Sequence, residues 1–287
     1  MADANFKELK KGGFMKQKQK DRFSMRLKTI GGQVTIQQLE TIRHVAETYG
    51  HGYIHLTSRQ GIEIPFIALE DIDTVKKELA KGGVQNGVCG ARLRTITACQ
   101  GNAVCPSGLI DTQHIARECE VRYGGREFPA KFKIGITGCP NNCLKTEEND
   151  LGIKGGIEPQ WHHDDCIFCG LCQAVCPSSA ITVDKKEKTL SFSKDQCVFC
   201  GKCVTTCPTS AWVGTAGYNV SLGGLYGKQI TIGRHFLPLL HSEEELYRVI
   251  DVVLDFFENH AKPGERFAKT VERIGWDAVE RLVREVL

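Results

Sequence analysis

The sequence predicts an α+β fold of two halves, with a small cysteine-rich module inserted into the second half. Three observations support this prediction. Strand-like and helix-like patterns follow one another in the order β-α-β-β-α-β up to Ala98. Two pairs of cysteines, Cys99 with Cys105 and Cys139 with Cys143, then lie in turn-rich segments. Beyond residue 160, a cysteine run occurs twice with a repeat period of 31 residues.

Composition bounds the class of protein. The chain has 287 residues, 41% of them hydrophobic, so one large domain or two modest domains can form a packed core. The net charge of +3 is too small to indicate a nucleic-acid-binding protein. No secretory signal is visible, and no apolar run reaches the roughly 18 residues of a membrane span. We therefore expect a cytoplasmic protein whose 14 cysteines stay reduced and bind metal or clusters.

The first half begins after a predicted basic tail, residues 1–20, which carries Lys10, Lys11, Lys16, Lys18 and Lys20. Residues 21–87 are predicted to form the first half itself. Strands are expected over 23–30, 53–56 and 62–66, helices over about 36–49 and 71–81, and a last strand over 93–98. Thr35 and Gln38 form a capping box at the first helix. This element order is that of a ferredoxin-like split unit.

The second half is predicted to comprise residues 88–160 and 213–287. Helices are expected over 111–120, 143–148, 243–260, 265–274 and 276–286, and strands over 131–136, 150–157, 220–224 and 230–232. Ser242 is the expected cap of the longest helix. Cys89 and Cys119 lie outside the cysteine motifs and are expected to be small buried side chains.

The inserted module, residues 161–212, carries two C-x2-C-x2-C-x3-C-P runs. In such double runs, three thiolates of one run and the fourth of the other bind one cluster. The predicted ligand sets of two [4Fe–4S] clusters are Cys166, Cys169, Cys172 and Cys207, and Cys197, Cys200, Cys203 and Cys176. A pair of zinc sites is the alternative, but zinc sites generally use separated C-x2-C pairs. The module resembles bacterial two-cluster ferredoxins, which implies electron relay.

The split set Cys99, Cys105, Cys139 and Cys143 has the spacing C-x5-C and C-x3-C, and four such thiolates can hold another iron–sulfur cluster. It resembles the cluster motif of the siroheme-dependent sulfite and nitrite reductases. The likeness extends to Thr57-Ser58-Arg59-Gln60, Arg94-Thr95-Ile96, Lys131-Phe132-Lys133 and Gly138-Cys139-Pro140-Asn141. It implies a [4Fe–4S] cluster on the four cysteines, with Cys143 also binding the siroheme iron. The fold implied is a ferredoxin-like half joined to a siroheme/[4Fe–4S] half, as in the catalytic subunit of anaerobic (dissimilatory-type) sulfite reductase.

Four basic residues in these segments are the candidates for binding and activating the substrate: Arg59, Arg94, Lys131 and Lys133. Sulfite is a small dianion, for which arginine offers a rigid donor fork and lysine a compact charge. Together they would stabilise the oxygens as these leave. Siroheme carries eight carboxylates, so its pocket is expected to be basic and rich in donors. The candidates for this pocket are Arg26, Lys28, Gln60, Arg92, Asn102, Asn142, Lys228 and Arg234.

The sequence therefore predicts siroheme-dependent, six-electron reduction of sulfite to sulfide, with electrons relayed through the two insert clusters to the siroheme-coupled cluster. Nitrite reduction to ammonia at the same site is one alternative, and a non-catalytic electron-transfer subunit is another. No G-x-G-x-x-G loop follows a predicted strand, so an external donor is expected, either a reductase subunit or a ferredoxin-like protein. Large family members carry two copies of this half, whereas this chain has room for one. A homo-oligomer, a partner subunit and a compact single-copy form all stay open.

Overall fold

The computed structural model describes residues 5–287 and confirms the predicted α+β class. The strands of the described residues form two four-stranded sheets and three two-stranded sheets. The helices are α1 (Phe6–Lys11), α2 (Ile36–Tyr49), α3 (Ile72–Lys81), α4 (Thr112–Tyr123), α5 (Leu171–Val175), α6 (Lys202–Thr206), α7 (Glu243–His260), α8 (Phe267–Ile274) and α9 (Trp276–Arg284). The strands are β1 (Phe14–Lys16), β2 (Arg22–Arg26), β3 (His55–Leu56), β4 (Ile62–Ala68), β5 (Thr97–Ala98), β6 (Ile134–Thr137), β7 (Leu151–Ile157), β8 (Gln160–Trp161), β9 (Ile181–Asp184), β10 (Thr189–Phe192), β11 (Trp212–Val213), β12 (Ala216–Leu222), β13 (Leu225–Tyr226) and β14 (Ile230–Thr231).

The first sheet is antiparallel throughout, with strand order β1-β2-β4-β3. Helices α2 and α3 contribute Val45 and Val75 to a core that also contains Phe23 and Ile64 from the strands. The predicted capping box of α2 is present, because Thr35 accepts from the Gln38 backbone and the Gln38 side chain accepts from the Thr35 backbone. Periodicity and capping together thus place α2 correctly from sequence.

The prediction of a solvated tail over residues 1–20 is wrong for its described part. Residues 6–11 form α1, residues 14–16 form β1 at the edge of the first sheet, and Phe14 is only 1% exposed. The backbone of this segment pairs with β2, and the side chain of Phe14 is buried beneath it. The free energy gained by burying this ring outweighs the repulsion between the exposed lysines. Residues 1–4 lie outside the described residues.

The prediction that residues 93–98 form the last strand of the first half is also wrong. Only Thr97–Ala98 is a strand, and it pairs in parallel with β6 of the second sheet. The first sheet instead gains an isolated bridge between Leu27 and Asn86. The chain therefore leaves the first half near residue 87 and enters the second half before Cys99.

The second sheet has strand order β12-β7-β6-β5, with β5, β6 and β7 parallel and β12 antiparallel to β7. Helices α4, α7, α8 and α9 share its core, in which the rings of Phe132 and Phe257 lie 5.4 Å apart. Ser242 caps α7 as predicted, with Glu245 completing a capping box. Helix and strand order thus bring residues that follow β5 and β6 to one edge of this sheet.

Two predicted elements of the second half are shorter than expected. Strand β6 starts at Ile134 rather than near residue 131, because the backbone N–H of Lys133 donates to the Asp150 carboxylate at 2.9 Å instead of to a strand. The helix predicted over 143–148 is a single 3-10 turn, Thr146–Glu148. Asn142 and Lys145 have left-handed backbone conformations, with φ of 52° and 50°, which an α-helix cannot include.

The cysteine-rich module extends from β7 and returns to β12. The antiparallel pair β8 and β11 closes its base, and β9 and β10 form the predicted hairpin. The module also contacts the end of the second sheet, where the N–H of Ile157 donates to the Phe199 carbonyl at 2.8 Å. Its second cysteine run therefore lies against β7. Within residues 5–287, we find no helix of the length and apolarity that crossing a bilayer requires.

Candidate active site

The split cysteine set lies at the carboxyl ends of β5 and β6. Cys99 directly follows β5, and its sulfur accepts from the backbone N–H groups of Gly138 at 3.1 Å and Gly101 at 3.4 Å. Cys139 is buried, and burial together with the nearby thiols of Cys105, Cys99 and Cys143 raises its pKa. The topology thus brings the two pairs, which are separated by 33 intervening residues in the sequence, to one place.

The module contains two small enclosed cavities, each surrounded by four cysteines. One is lined by Cys166, Cys169, Cys172 and Cys207. The other is lined by Cys176, Cys197, Cys200 and Cys203. Each cavity therefore combines three cysteines of one run with the last cysteine of the other, which is the grouping predicted for the two ligand sets.

Burial affects the thiols that line these two cavities. Burial raises the pKa of Cys203 to about 12, a cost that bound iron would offset by holding the thiolate. No three His, Cys, Asp or Glu side chains among residues 5–287 are grouped for one metal ion.

Arg59 and Arg94 line a cavity of about 130 Å³ between the two halves of the chain. Arg59 belongs to the turn between β3 and β4, and its Nη1 donates to Oδ1 of Asn149 at 2.6 Å. Its Nη2 donates to the Thr95 carbonyl at 3.2 Å. Burial, with the neighbouring charges of Arg94 and Arg266, lowers the pKa of Arg59 to about 10. The guanidinium therefore stays charged at neutral pH and is held in one orientation.

A larger adjoining cavity, of about 770 Å³, is lined by cationic side chains from several segments. They are Lys10, Arg26, Arg94, Lys131, Lys228 and Arg266. Arg26 and Arg94 line both cavities. The thiol of Cys89 lies between these two arginines and accepts from Arg94 Nη2 at 3.4 Å and from Arg26 Nη1 at 3.6 Å. The arrangement concentrates positive charge and holds guanidinium groups in place, which suits an anion.

Lys133 lies close to the same group of charges, although it lines neither cavity. Burial, followed by the charges of Arg59 and Arg266, lowers the pKa of Lys133 to about 8. Asp150 is fully buried, and its Oδ2 accepts both from Arg266 Nη2 at 2.7 Å and from the Lys133 backbone N–H. The carboxylates of Asp150 and of Glu63, which pairs with Arg26, face a larger number of cations, so the site keeps a net positive charge.

Two family models match the chain. The model described as nitrite and sulphite reductase 4Fe-4S domain matches residues 89–287, and the model described as nitrite/sulfite reductase ferredoxin-like half domain matches residues 15–82. The chain belongs to the nitrite and sulfite reductase family. Members of this family are oxidoreductases, and the match supports a [4Fe–4S] cluster and siroheme as cofactors. The predicted family and fold class are thereby confirmed.

Individual relatives agree with the family assignment. The coenzyme F420-dependent sulfite reductase of Methanocaldococcus jannaschii is 37% identical over 259 residues, or 90% of this chain and 41% of that protein. One of the subunits of the anaerobic sulfite reductase of Salmonella typhimurium is 35% identical over 165 residues, or 53% of this chain and 48% of that protein. The matched part is thus less than half the length of each relative. Dissimilatory sulfite reductase I shares the fold with a TM-score of 0.74 at 21% identity, covering 92% of this chain and 69% of that chain.

The site of this family member fits the cofactors that the family implies. The larger cavity offers several cationic side chains, which suits a tetrapyrrole with eight carboxylates. The four split-set thiols are grouped, and backbone N–H groups aim at the sulfur of Cys99. Cys143, the predicted shared ligand, is exposed and therefore open to a group outside the cube.

The predicted siroheme-pocket residues divide into two groups. Arg26, which also pairs with Glu63, and Lys228 line the larger cavity. The other six line neither cavity and have partners within the protein. Lys28 and Arg92 form ion pairs with Glu120 and Glu127, and the guanidinium of Arg234 stacks on Trp276. The side chain of Gln60 bonds the Ala98 backbone, that of Asn142 bonds Glu147 and Thr146, and the backbone N–H of Asn102 donates to the Ile110 carbonyl. For these six the role at siroheme stays a prediction.

Sequence reasoning missed four residues of the site: Cys89, Asn149, Asp150 and Arg266. Asn149 and Asp150 orient Arg59 and Arg266, and Cys89 contacts Arg26 and Arg94. None of them lies in a motif that the sequence displays. The acidic Asp150 directly before a glycine-rich apolar strand was the single local signal, since such a position favours a buried charge with a partner.

Proposed function

We propose that this chain catalyses the siroheme-dependent, six-electron reduction of sulfite to sulfide. The observation that carries the proposal is the group of cations at the two adjoining cavities, with Arg59 fixed by Asn149 and Arg94 by Cys89. Per turnover, hydrogen sulfite takes up six electrons and six protons and gives hydrosulfide and three waters. Each departing oxygen needs positive charge and protons, which these side chains can supply.

The cofactors and their proposed ligands follow from the cysteine groups. Cys99, Cys105, Cys139 and Cys143 would hold the siroheme-coupled [4Fe–4S] cluster, and Cys143 would also bind siroheme. The two module groups would hold one [4Fe–4S] cluster each, three clusters in all. When bound, the clusters supply one-electron carriers, and siroheme supplies the metal on which the anion is reduced.

Each of the four predicted substrate residues has a distinct proposed part. Arg59 and Arg94 hold the anion, because their guanidinium groups are fixed by Asn149 and Cys89 and remain charged. Lys131 contributes a further charge at the rim of the larger cavity. Lys133, with its pKa lowered to about 8, is suited to give a proton to a leaving oxygen near neutral pH.

The position of the module supports the proposed electron relay and its direction. A Cβ atom on Gly156 would lie 3.1 Å from Cβ of Phe199, and one on Gly155 would lie 2.3 Å from the Gly138 carbonyl. Two consecutive glycines of β7 thus allow close contact with the second cysteine run on one side and with the Cys139 turn on the other. We propose that the cluster site of Cys176, Cys197, Cys200 and Cys203 is the inner relay site, nearer the Cys139 turn. The cluster site of Cys166, Cys169, Cys172 and Cys207 is then the outer one.

Nitrite is the second candidate substrate, since the matching family comprises both nitrite and sulfite reductases. A non-catalytic electron-transfer role is less well supported, because it would not need the fixed arginines. Electrons would come from an external donor, a reductase subunit or a ferredoxin-like protein. We propose a cytoplasmic location, because clusters on these cysteines need thiols that stay reduced until the iron binds. A homo-oligomer and a hetero-complex both stay open.

Metal and spectral analysis of anaerobically purified protein tests the cofactor set. Three cubes and one siroheme correspond to about 13 iron atoms per chain, without zinc. A preparation containing zinc at two sites per chain would contradict the module clusters. Comparing kcat/KM for sulfite and nitrite with reduced viologen as donor tests the substrate. A kcat/KM for nitrite far above that for sulfite would move the proposal to nitrite reduction.

A further inference from the structure

Arg266 is the residue that the larger cavity and the buried ion pair of the second half have in common. It directly precedes α8, far in sequence from the basic motif segments. Its Nη2 donates to Oδ2 of Asp150 at 2.7 Å, and the side chains of the two residues are 13% and 0% exposed. The same arginine lines the larger cavity beside Arg94 and Lys131.

The backbone around the pair explains why Arg266 reaches the cavity. The N–H of Gly264 donates to the Pro129 carbonyl at 2.9 Å, which holds the loop before α8 beside the segment that leads to Lys131. Asp150 bonds the backbone of Lys133 as well as the guanidinium. The carboxylate therefore positions two cationic residues at once, one by its backbone and one by its side chain.

The hydrogen bonds of the pair are incomplete. Nε of Arg266 and Oδ1 of Asp150 are both buried and have no hydrogen-bond partner, so the guanidinium is not held in the two-bond geometry that arginine and carboxylate usually adopt. A buried donor without a partner is costly, unless a bound group satisfies it. All the charged side chains that line this cavity are cations, and an anion is the group that would be stable among them.

We propose that Arg266 is a further anion-binding residue of this site, held in place by Asp150 as its positioning residue. The ligand is an oxyanion, either the substrate itself or a carboxylate of the tetrapyrrole. The inference rests on the proposed function for the identity of the substrate. The binding of an oxyanion by Arg266 is tested separately from turnover.

The experiment compares the wild-type holoenzyme with the variants Arg266→Gln and Asp150→Asn/Arg266→Gln. The double variant is needed because the single change leaves the buried Asp150 charge without its partner and can prevent folding. Arg273→Gln is the matched control, since Arg273 lies on the helix that Arg266 precedes and forms an ion pair with Glu265 at 2.7 Å, away from the cavity. Two quantities are measured: the Kd for sulfite by calorimetry, and the siroheme content per chain from the visible spectrum.

We expect the double variant to fold and to lose about ten-fold in sulfite affinity, the effect of one charge-assisted hydrogen bond. If the carboxylate is the ligand, siroheme content falls instead while the sulfite Kd of the loaded fraction is kept. Arg273→Gln should change neither. Wild-type sulfite affinity and full siroheme content in the double variant would overturn the proposal. If wild-type protein binds sulfite but forms no sulfide, the proposed function fails while the role of Arg266 can still be judged from the Kd.

Discussion

Arg59 in the first half donates from Nη1 to Oδ1 of Asn149 in the second half, over a distance of 2.6 Å. Asn149 is itself fixed, because its amide donates to the Thr146 carbonyl at 3.2 Å. A neutral acceptor orients the arginine without cancelling its charge. The contact thus joins the two halves of the chain and keeps a full positive charge at the cavity where we propose that sulfite binds.

Replacing Asn149 by alanine is predicted to weaken sulfite binding by about ten-fold, because a hydrogen bond to a charged group contributes about 1.5–3 kcal/mol. The measurement is the sulfite Kd together with KM. Asn149→Asp is the informative comparison: it keeps an acceptor for Arg59 but adds a negative charge and loses the amide donor to the Thr146 carbonyl, so it should bind sulfite poorly at some cost in thermal stability. If Asn149→Ala bound sulfite like the wild type, Arg59 would not need this anchor.

The lowered pKa of Lys133 predicts a pH dependence. The lysine is protonated below about pH 8 and loses its charge above it, instead of near its ordinary pKa of 10.5. Anion affinity should therefore fall as pH rises through about 8, and sulfate is a suitable probe because its own charge does not change there. Since the unfolded lysine binds more protons between these two pKa values, the free energy of unfolding should rise with pH in the same interval.

Lys133→Arg provides the check on this assignment. A guanidinium stays charged over the whole interval, so the fall in sulfate affinity should move to higher pH. An unchanged pH profile in Lys133→Arg would assign the titration to another group.

Cys89 is predicted to matter for anion binding although it lies outside the cysteine motifs. Its sulfur accepts from Arg94 and Arg26, so Cys89→Ala should loosen both guanidinium groups and raise the sulfite Kd several-fold, and Cys89→Ser should restore part of the loss. Cys119 is the matched control. It is equally buried, its pKa is raised to about 12 by burial, and it lies in the core of the second half. If Cys89→Ala and Cys119→Ala changed the sulfite Kd equally, Cys89 would contribute to core packing and not to the orientation of the arginines.

The contact between β7 and the module predicts the effect of a larger residue at Gly156. Gly156→Val would press on Phe199 and Leu239, whose nearest atoms would lie 3.1 and 3.3 Å from the new Cβ, and so displace the second cysteine run. Iron content should be nearly kept, whereas reduction of siroheme by electrons entering at the module should slow at least ten-fold in stopped-flow measurements. Gly12→Ala, whose nearest new contact would be an ordinary 3.6 Å, is the control. An unchanged rate in Gly156→Val would mean that electrons do not pass along this contact.

The parts of the fold that local patterns determine were predictable. Capping residues and apolar periodicity located α2 and α7, and cysteine spacing alone grouped the eight module cysteines as the two cavities do. The errors arose where tertiary contacts decide. Phe14 makes β1 out of a lysine-rich segment, and Ala98 pairs with the second sheet rather than the first. Arg266 and Asp150, 116 residues apart in sequence, have no local pattern that would connect them.

The most direct test of the proposed activity is the product formed from sulfite by anaerobically purified protein from a siroheme-producing host, with reduced viologen as the only donor. We predict a siroheme absorption band, and one sulfide formed for every six electrons taken from viologen. Protein without a siroheme band from such a host, or siroheme-loaded protein that forms no sulfide, would contradict the account.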